Sequence, residues 1–207
     1  MLALLLFSCN KKETLKISVK NIVTGEPVAG NHISIVEIFN VSDGVSGSKT
    51  KDFYSGQTNS EGVLYVTEKF NKNRRYTVKV GKFTEDVCYI NKSNEQWYVG
   101  ANTEINFEYT PCAYLKWRIE NVNCEGESDN LKVYYLGRQV GGQEPPIIGA
   151  LIRDGDGCYF FESNGFNDVP MGERYYRREV TRNGITEIFY DTIYLNAGEF
   201  YTYEINY

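Results

Sequence analysis

The chain has 207 residues, with 22 Lys and Arg against 27 Asp and Glu, a net charge of −5. That balance excludes nucleic acid as a partner, which requires a basic surface to neutralise phosphates. With 17 Tyr, 11 Phe and 19 Gly but one His, the composition favours β structure and leaves little for histidine catalysis or zinc.

The N-terminus carries an address. Leu2 to Phe7 is a short apolar run, followed by Ser8, Cys9 and the polar stretch Asn10-Lys11-Lys12-Glu13. The run is far shorter than the roughly 20 residues that span a bilayer. It reads as the end of a secretory signal. Leu6-Phe7-Ser8-Cys9 resembles the lipobox of bacterial lipoproteins. The resemblance implies a signal over residues 1–8, diacylglycerol on Cys9 and a linker over 9–14. The missing basic region before the run predicts a true start several residues upstream. The residue after the cysteine is Asn10, not the Asp that retains such proteins at the inner membrane, which favours the outer membrane. Periplasmic-facing and surface-facing orientations both remain open.

Strands follow. Leu15, Ile17 and Val19 alternate with Lys16, Ser18 and Lys20, the period of a half-buried strand. Further strands are expected over 33–41, 62–66, 76–80, 87–90, 104–109, 131–136, 158–162, 175–181, 185–195 and 200–207. No window has sustained helical periodicity. Leu15-Lys16 through Asn21-Ile22 is echoed by Leu115-Lys116 through Asn121-Val122. Tyr98-Val99-Gly100-Ala101 is echoed by Tyr194-Leu195-Asn196-Ala197. Such echoes predict a duplicated domain. The expected class is all-β, two tandem Ig-like or transthyretin-like sandwiches over 15–110 and 111–207, joined near Thr110-Pro111.

Val23-Thr24-Gly25-Glu26-Pro27-Val28-Ala29-Gly30, then Thr58-Asn59-Ser60-Glu61-Gly62, then Tyr76-Thr77-Val78-Lys79-Val80, form an ordered series of turns and strand. The series resembles the carboxypeptidase regulatory-like, transthyretin-type β-sandwich. The resemblance covers residues 15–109. It implies a seven-stranded accessory or binding module without an active site.

Candidate chemistry is sparse. His32 reads as a surface residue. Asp154-Gly155-Asp156-Gly157 lacks the further oxygen ligands of a calcium loop and reads as a turn, so no metal or other cofactor is expected. No Gly-x-Ser-x-Gly elbow accompanies the lone His. A Lys20–Asn106 isopeptide lacks its usual acidic motif. Trp97 and Tyr98 are the expected ligand contacts, since Asn94-Glu95-Gln96 before them reads as a loop. Tyr175, Tyr176, Tyr201, Tyr203 and Tyr207 could share an aromatic platform with them or serve as cross-strand pairs.

Of the cysteines beyond Cys9, Cys112 and Cys124 flank one strand and are too far apart to bond. Cys124–Cys158 is the preferred pair, with Cys88 and Cys112 paired or free. The expected function is a non-catalytic envelope module that binds a glycan or envelope protein. A fimbrillin-like surface subunit and a small carboxylate-based hydrolase are the alternatives. An outer-membrane barrel is disfavoured by the lipobox and the short strands.

Overall fold

The structure is a computed structural model and describes residues 12–41, 47–81, 83, 86–100, 103–138 and 149–207. The described chain is all-β. Cys9 and the lipobox lie outside the described residues.

Two compact units emerge. In the first, one sheet holds β2 (His32–Val41), β3 (Gly47–Gln57), β5 (Arg75–Val80) and β7 (Asn94–Tyr98) in the order β3-β2-β5-β7. Opposite it lie β1 (Glu13–Asn21), β4 (Val63–Glu68) and the first part of β8 (Glu104–Glu120). Alternation in β1 turns Leu15, Ile17 and Val19 inward, where each is essentially fully buried. They meet Ile33, Ile35, Tyr76, Val78 and Trp97 from the facing sheet. Core side chains contributed by both sheets make this unit a β-sandwich.

The second unit repeats the plan. Its sheet of β9 (Asn130–Arg138), β10 (Ala150–Asp156), β13 (Gly172–Arg182) and β14 (Ile185–Leu195) has the order β10-β9-β13-β14. Across from it, the later part of β8 pairs with β11 (Phe160–Glu162), β12 (Asn167–Pro170) and β15 (Phe200–Asn206). Trp117, Ile119, Tyr203 and Ile205 pack there against Leu131, Val133, Tyr176 and Leu195. In each unit the first strand runs parallel to the last: β1 beside β8 with Ile17 opposite Ile105, and β8 beside β15 with Trp117 opposite Tyr203. The Leu15 and Leu115 echoes therefore occupy the same place in two equal strand orders.

Several expectations change. The strands expected over 104–109 and from Leu115 are one 17-residue strand, β8, which runs through Thr110-Pro111. Pro111 is accommodated because β1 pairs β8 only as far as Tyr109 and β15 pairs it only from Tyr114. The proline's missing N–H thus costs neither parallel ladder a bond. The boundary between the compact units falls at Thr110, but residues 22–24 and 86–89 cluster with the second unit. β6 (Val87–Ile90) pairs with β8. β3, β7, β10 and β12 are additional to the expected set.

The Thr58–Gly62 motif acts as a structural lock. Thr58 Oγ1 donates to the Val28 carbonyl at 2.6 Å and accepts from the Asn31 amide at 2.9 Å. Asn59 Oδ1 caps the turn by accepting from the Glu61 and Val63 amides at 3.0 and 2.9 Å. Gly62 has φ +68°, and a Cβ there would lie 2.6 Å from the Val19 carbonyl oxygen. Only glycine combines that conformation with that approach.

Candidate functional site

The two expected contacts part company. Residues 94–98 form β7, a sheet strand and not a loop, paired antiparallel with β5. Trp97 stands opposite Tyr76 and turns inward, 4% exposed, with its ring 4.7 Å from that of Phe70. It is a core residue, which corrects its expected role as a contact. Tyr98 follows it in the pleat, faces outward and is 49% exposed. The wider aromatic platform is likewise divided. Tyr176, Tyr203 and Tyr207 are buried in the core of the second unit, where burial pushes the Tyr176 and Tyr207 phenols up to about 12.

Beside Tyr98 the outer face of the sheet is chemically distinctive. Tyr98 is the cross-strand partner of Arg75, and Arg75 that of Ile38 on β2. Among the described residues Arg75 has neither an ion-pair nor a hydrogen-bond partner for its side chain. A pocket of about 330 Å³ opens here, lined by Ile38, Phe39, Asn71, Asn73, Arg74 and Arg75.

The turn that shapes the pocket is pre-organised. The Asn71 amide donates to Tyr76 Oη at 2.8 Å, the Asn73 amide to Asn71 Oδ1 at 2.9 Å, and the Arg74 amide to the Asn71 carbonyl at 3.0 Å. Tyr76 is fully buried, and desolvation raises its phenol pKa, so the neutral hydroxyl serves as a fixed acceptor for the turn. The Arg74 guanidinium lies over the Phe39 ring at 4.9 Å, with Nε 3.8 Å from Glu37 Oε1. Residues 71–75 read Asn-Lys-Asn-Arg-Arg, the sequence signal that could have marked this site.

The second unit carries a comparable outward row, Tyr190, Arg177, Tyr134 and Leu151, on β14, β13, β9 and β10. There the arginine is engaged. Arg177 Nη2 donates to Glu179 Oε1 at 2.8 Å, and the guanidinium stacks 4.3 Å from the Tyr134 ring centroid. Beyond it β14 is an edge strand whose Ile188, Phe189 and Tyr190 are exposed, Tyr190 by 71%.

The remaining candidates are structural. Cys124 and Cys158 are bonded with Cα atoms 5.1 Å apart, and Cys88 and Cys112 with Cα atoms 4.8 Å apart. Next to the first bond, Asn121 Nδ2 donates to Asp129 Oδ2 at 3.0 Å and to the Gly157 carbonyl at 2.9 Å. Asp154 and Asp156 both accept from Asn130 Nδ2, at 3.0 and 2.8 Å. That amide ties the two carboxylates to β9. His32 is exposed and its Nε2 lies 2.8 Å from Ser55 Oγ. Lys20 pairs with Glu108 at 3.1 Å, while Asn106 accepts from Ser18, which assigns the two ends of the suggested isopeptide to other partners. Among the described residues no three His, Cys, Asp or Glu side chains gather as a metal site would require.

No family model matches the chain. No curated protein matches it either. Among solved structures, it is similar to the Bacillus anthracis TIE protein at 13% identity and TM-score 0.38, covering 95% of this chain and 34% of that one. The chain thus spans about a third of that protein. The shaft pilin SpaA of Lactobacillus rhamnosus GG is similar at 10% identity and TM-score 0.35, over 95% of this chain and 97% of the pilin. A DUF3823 family protein from Bacteroides uniformis is similar at 15% identity and TM-score 0.32, over 89% of this chain and 100% of that one. None of these likenesses carries a function to the chain.

Proposed function

We propose that this protein is a non-catalytic binding module of the cell envelope, held at the outer membrane by a lipid on Cys9. It engages a ligand through the outer face of its first sheet. The lipobox-like Leu6-Phe7-Ser8-Cys9 supports the anchor. One observation carries the binding role: the exposed Tyr98 stands beside Arg75, which is unpartnered among the described residues, at the edge of a pre-formed pocket. An aromatic face and a free guanidinium are binding groups. A tyrosine ring orders at small entropic cost, since it has few rotatable bonds.

The test is a glycan array and an envelope pull-down with the wild type and Tyr98→Ala. The reading expects a hit that weakens in the variant while the melting temperature holds. A hit indifferent to Tyr98 contradicts the assignment. Turnover of a glycan or ester, lost on changing a single acidic residue, contradicts the non-catalytic reading.

A second reading, a surface structural subunit, is favoured by β14. An exposed edge strand bearing Ile188, Phe189 and Tyr190 is a template for strand addition by a neighbouring copy. It predicts concentration-dependent multimers that Ile188→Lys abolishes. A monomer at all concentrations contradicts it.

A further inference from the structure

We propose that the pocket at Arg75 is a subsite for an acidic sugar unit, whose carboxylate pairs with Arg75 and whose ring rests against Tyr98. The inference deepens the binding reading above and rests on it.

Charge is the first argument. The protein as a whole is acidic, at −5, yet the charged residues that line this pocket are both arginines. Arg74 and Arg75 line it and Lys72 lies in the same turn. Glu37 already faces Arg74, and Asp52 stands opposite Val36 on the Arg75 face. An acidic chain that concentrates basic residues at one pocket incurs self-repulsion there, and an anionic ligand relieves it.

The type of cation is the second argument. Arg74 is committed to Phe39 and Glu37, whereas Arg75 has no partner among the described residues. A guanidinium presents a planar fork that fits a carboxylate in two parallel hydrogen bonds. The groups around it suit the rest of a sugar. Asn71 and Asn73 line the pocket, and Ile38 stands beside Arg75 on the same face of the sheet. Tyr98, across the strand pair from Arg75, offers a ring face to one side of the pyranose. The volume of about 330 Å³ lies at the small end of ligand sites, so it suits one sugar residue with its neighbours extending outward. The sister row in the second unit lacks this capacity, because Glu179 already occupies Arg177.

The experiment is calorimetric titration of the folded protein with digalacturonate, its neutral counterpart digalactose, and inorganic phosphate. Arg75→Gln, Arg75→Lys and Tyr98→Ala are run alongside, with thermal melts to verify folding. Expected is binding of digalacturonate that weakens by about tenfold in Arg75→Gln and partly recovers in Arg75→Lys. The neutral disaccharide should bind at least about tenfold more weakly, and added salt should weaken the acidic one. Equal, Tyr98-dependent binding of both disaccharides overturns the acidic preference but leaves the binding reading standing. Phosphate binding as tightly as digalacturonate, indifferent to Tyr98→Ala, reduces the site to a plain anion pocket and overturns the sugar. No binding of either disaccharide also overturns the inference, and the array then decides the broader reading by itself.

Discussion

Asn121 and Asp129 are joined by a buried hydrogen bond of 3.0 Å beside the Cys124–Cys158 disulfide. Asp129 also accepts from the Glu125 amide at 2.9 Å. That backbone bond, then the Asn121 bond, holds the carboxyl below the usual carboxylate range. A value lowered in the fold contributes stability that is complete above the unfolded value, about 3.9, and is lost as pH falls through the folded one. The melting temperature should therefore drop as pH is taken below about 4, and Asp129→Asn should flatten part of that drop. Asn121→Ala should cost about 1–3 kcal/mol, because it strands buried acceptors. Parallel pH profiles for wild type and Asp129→Asn would contradict the assignment.

Trp97 and Tyr98 should separate stability from binding. Trp97→Ala removes a ring packed against Phe70 and Tyr76 and should cost about 3–5 kcal/mol. Tyr98→Ala should change stability by less than about 0.5 kcal/mol. Denaturant melts of both variants measure this. A large loss for Tyr98→Ala would mean that its ring is part of the fold.

The burial of Trp97 is hidden in the sequence for a physical reason. β7 is a five-residue edge strand with polar Asn94, Glu95 and Gln96, so its single inward ring gives no alternation to detect. β3 is hidden for the same reason: Ser48, Lys49, Thr50 and Lys51 lie exposed on an edge strand and show no apolar period. Strands with one buried face, such as β1 and the later part of β8, are plain from Leu15, Ile17, Val19 and from Leu115, Trp117, Ile119. Pro111 suggests a break, but whether a proline ends a strand depends on which neighbours need its N–H. That is a property of the sheet, not of the local sequence. The pocket is hidden because it needs β2 brought beside the Asn71–Arg75 turn. Those elements meet only through the register that sets Ile38 opposite Arg75.

The disulfides form a mapping prediction. Non-reducing peptide analysis of the oxidised protein should recover Cys88 with Cys112 and Cys124 with Cys158, with no exchange between the pairs. Cys124→Ser with Cys158→Ser should lower stability by about 2–4 kcal/mol. Recovery of Cys112 bonded to Cys124 would contradict the strand assignment of β8.

Alkaline pH should attack the second unit first. Burial raises Tyr176 and Tyr207 to about 12 and raises Tyr203 as well, with the hydrogen bond to Asp191 adding to the effect at Tyr203. A raised value means that the fold prefers the neutral phenol. Its contribution is complete below about 10 and is lost as pH rises through about 12. Phenolate absorbance from the buried rings should appear only together with unfolding. A single stage near about 10 with the fold intact would contradict burial of these rings.

The most direct test of the binding account is capture from position 98 in living cells. A photoreactive Tyr98→benzoylphenylalanine and a control Tyr65→benzoylphenylalanine, on the exposed Tyr65 of β4, are irradiated in the envelope. The account predicts a discrete adduct from position 98 that is absent from position 65 and disappears when Arg75→Gln is added. Equal adducts from both positions, or none from position 98, would contradict it.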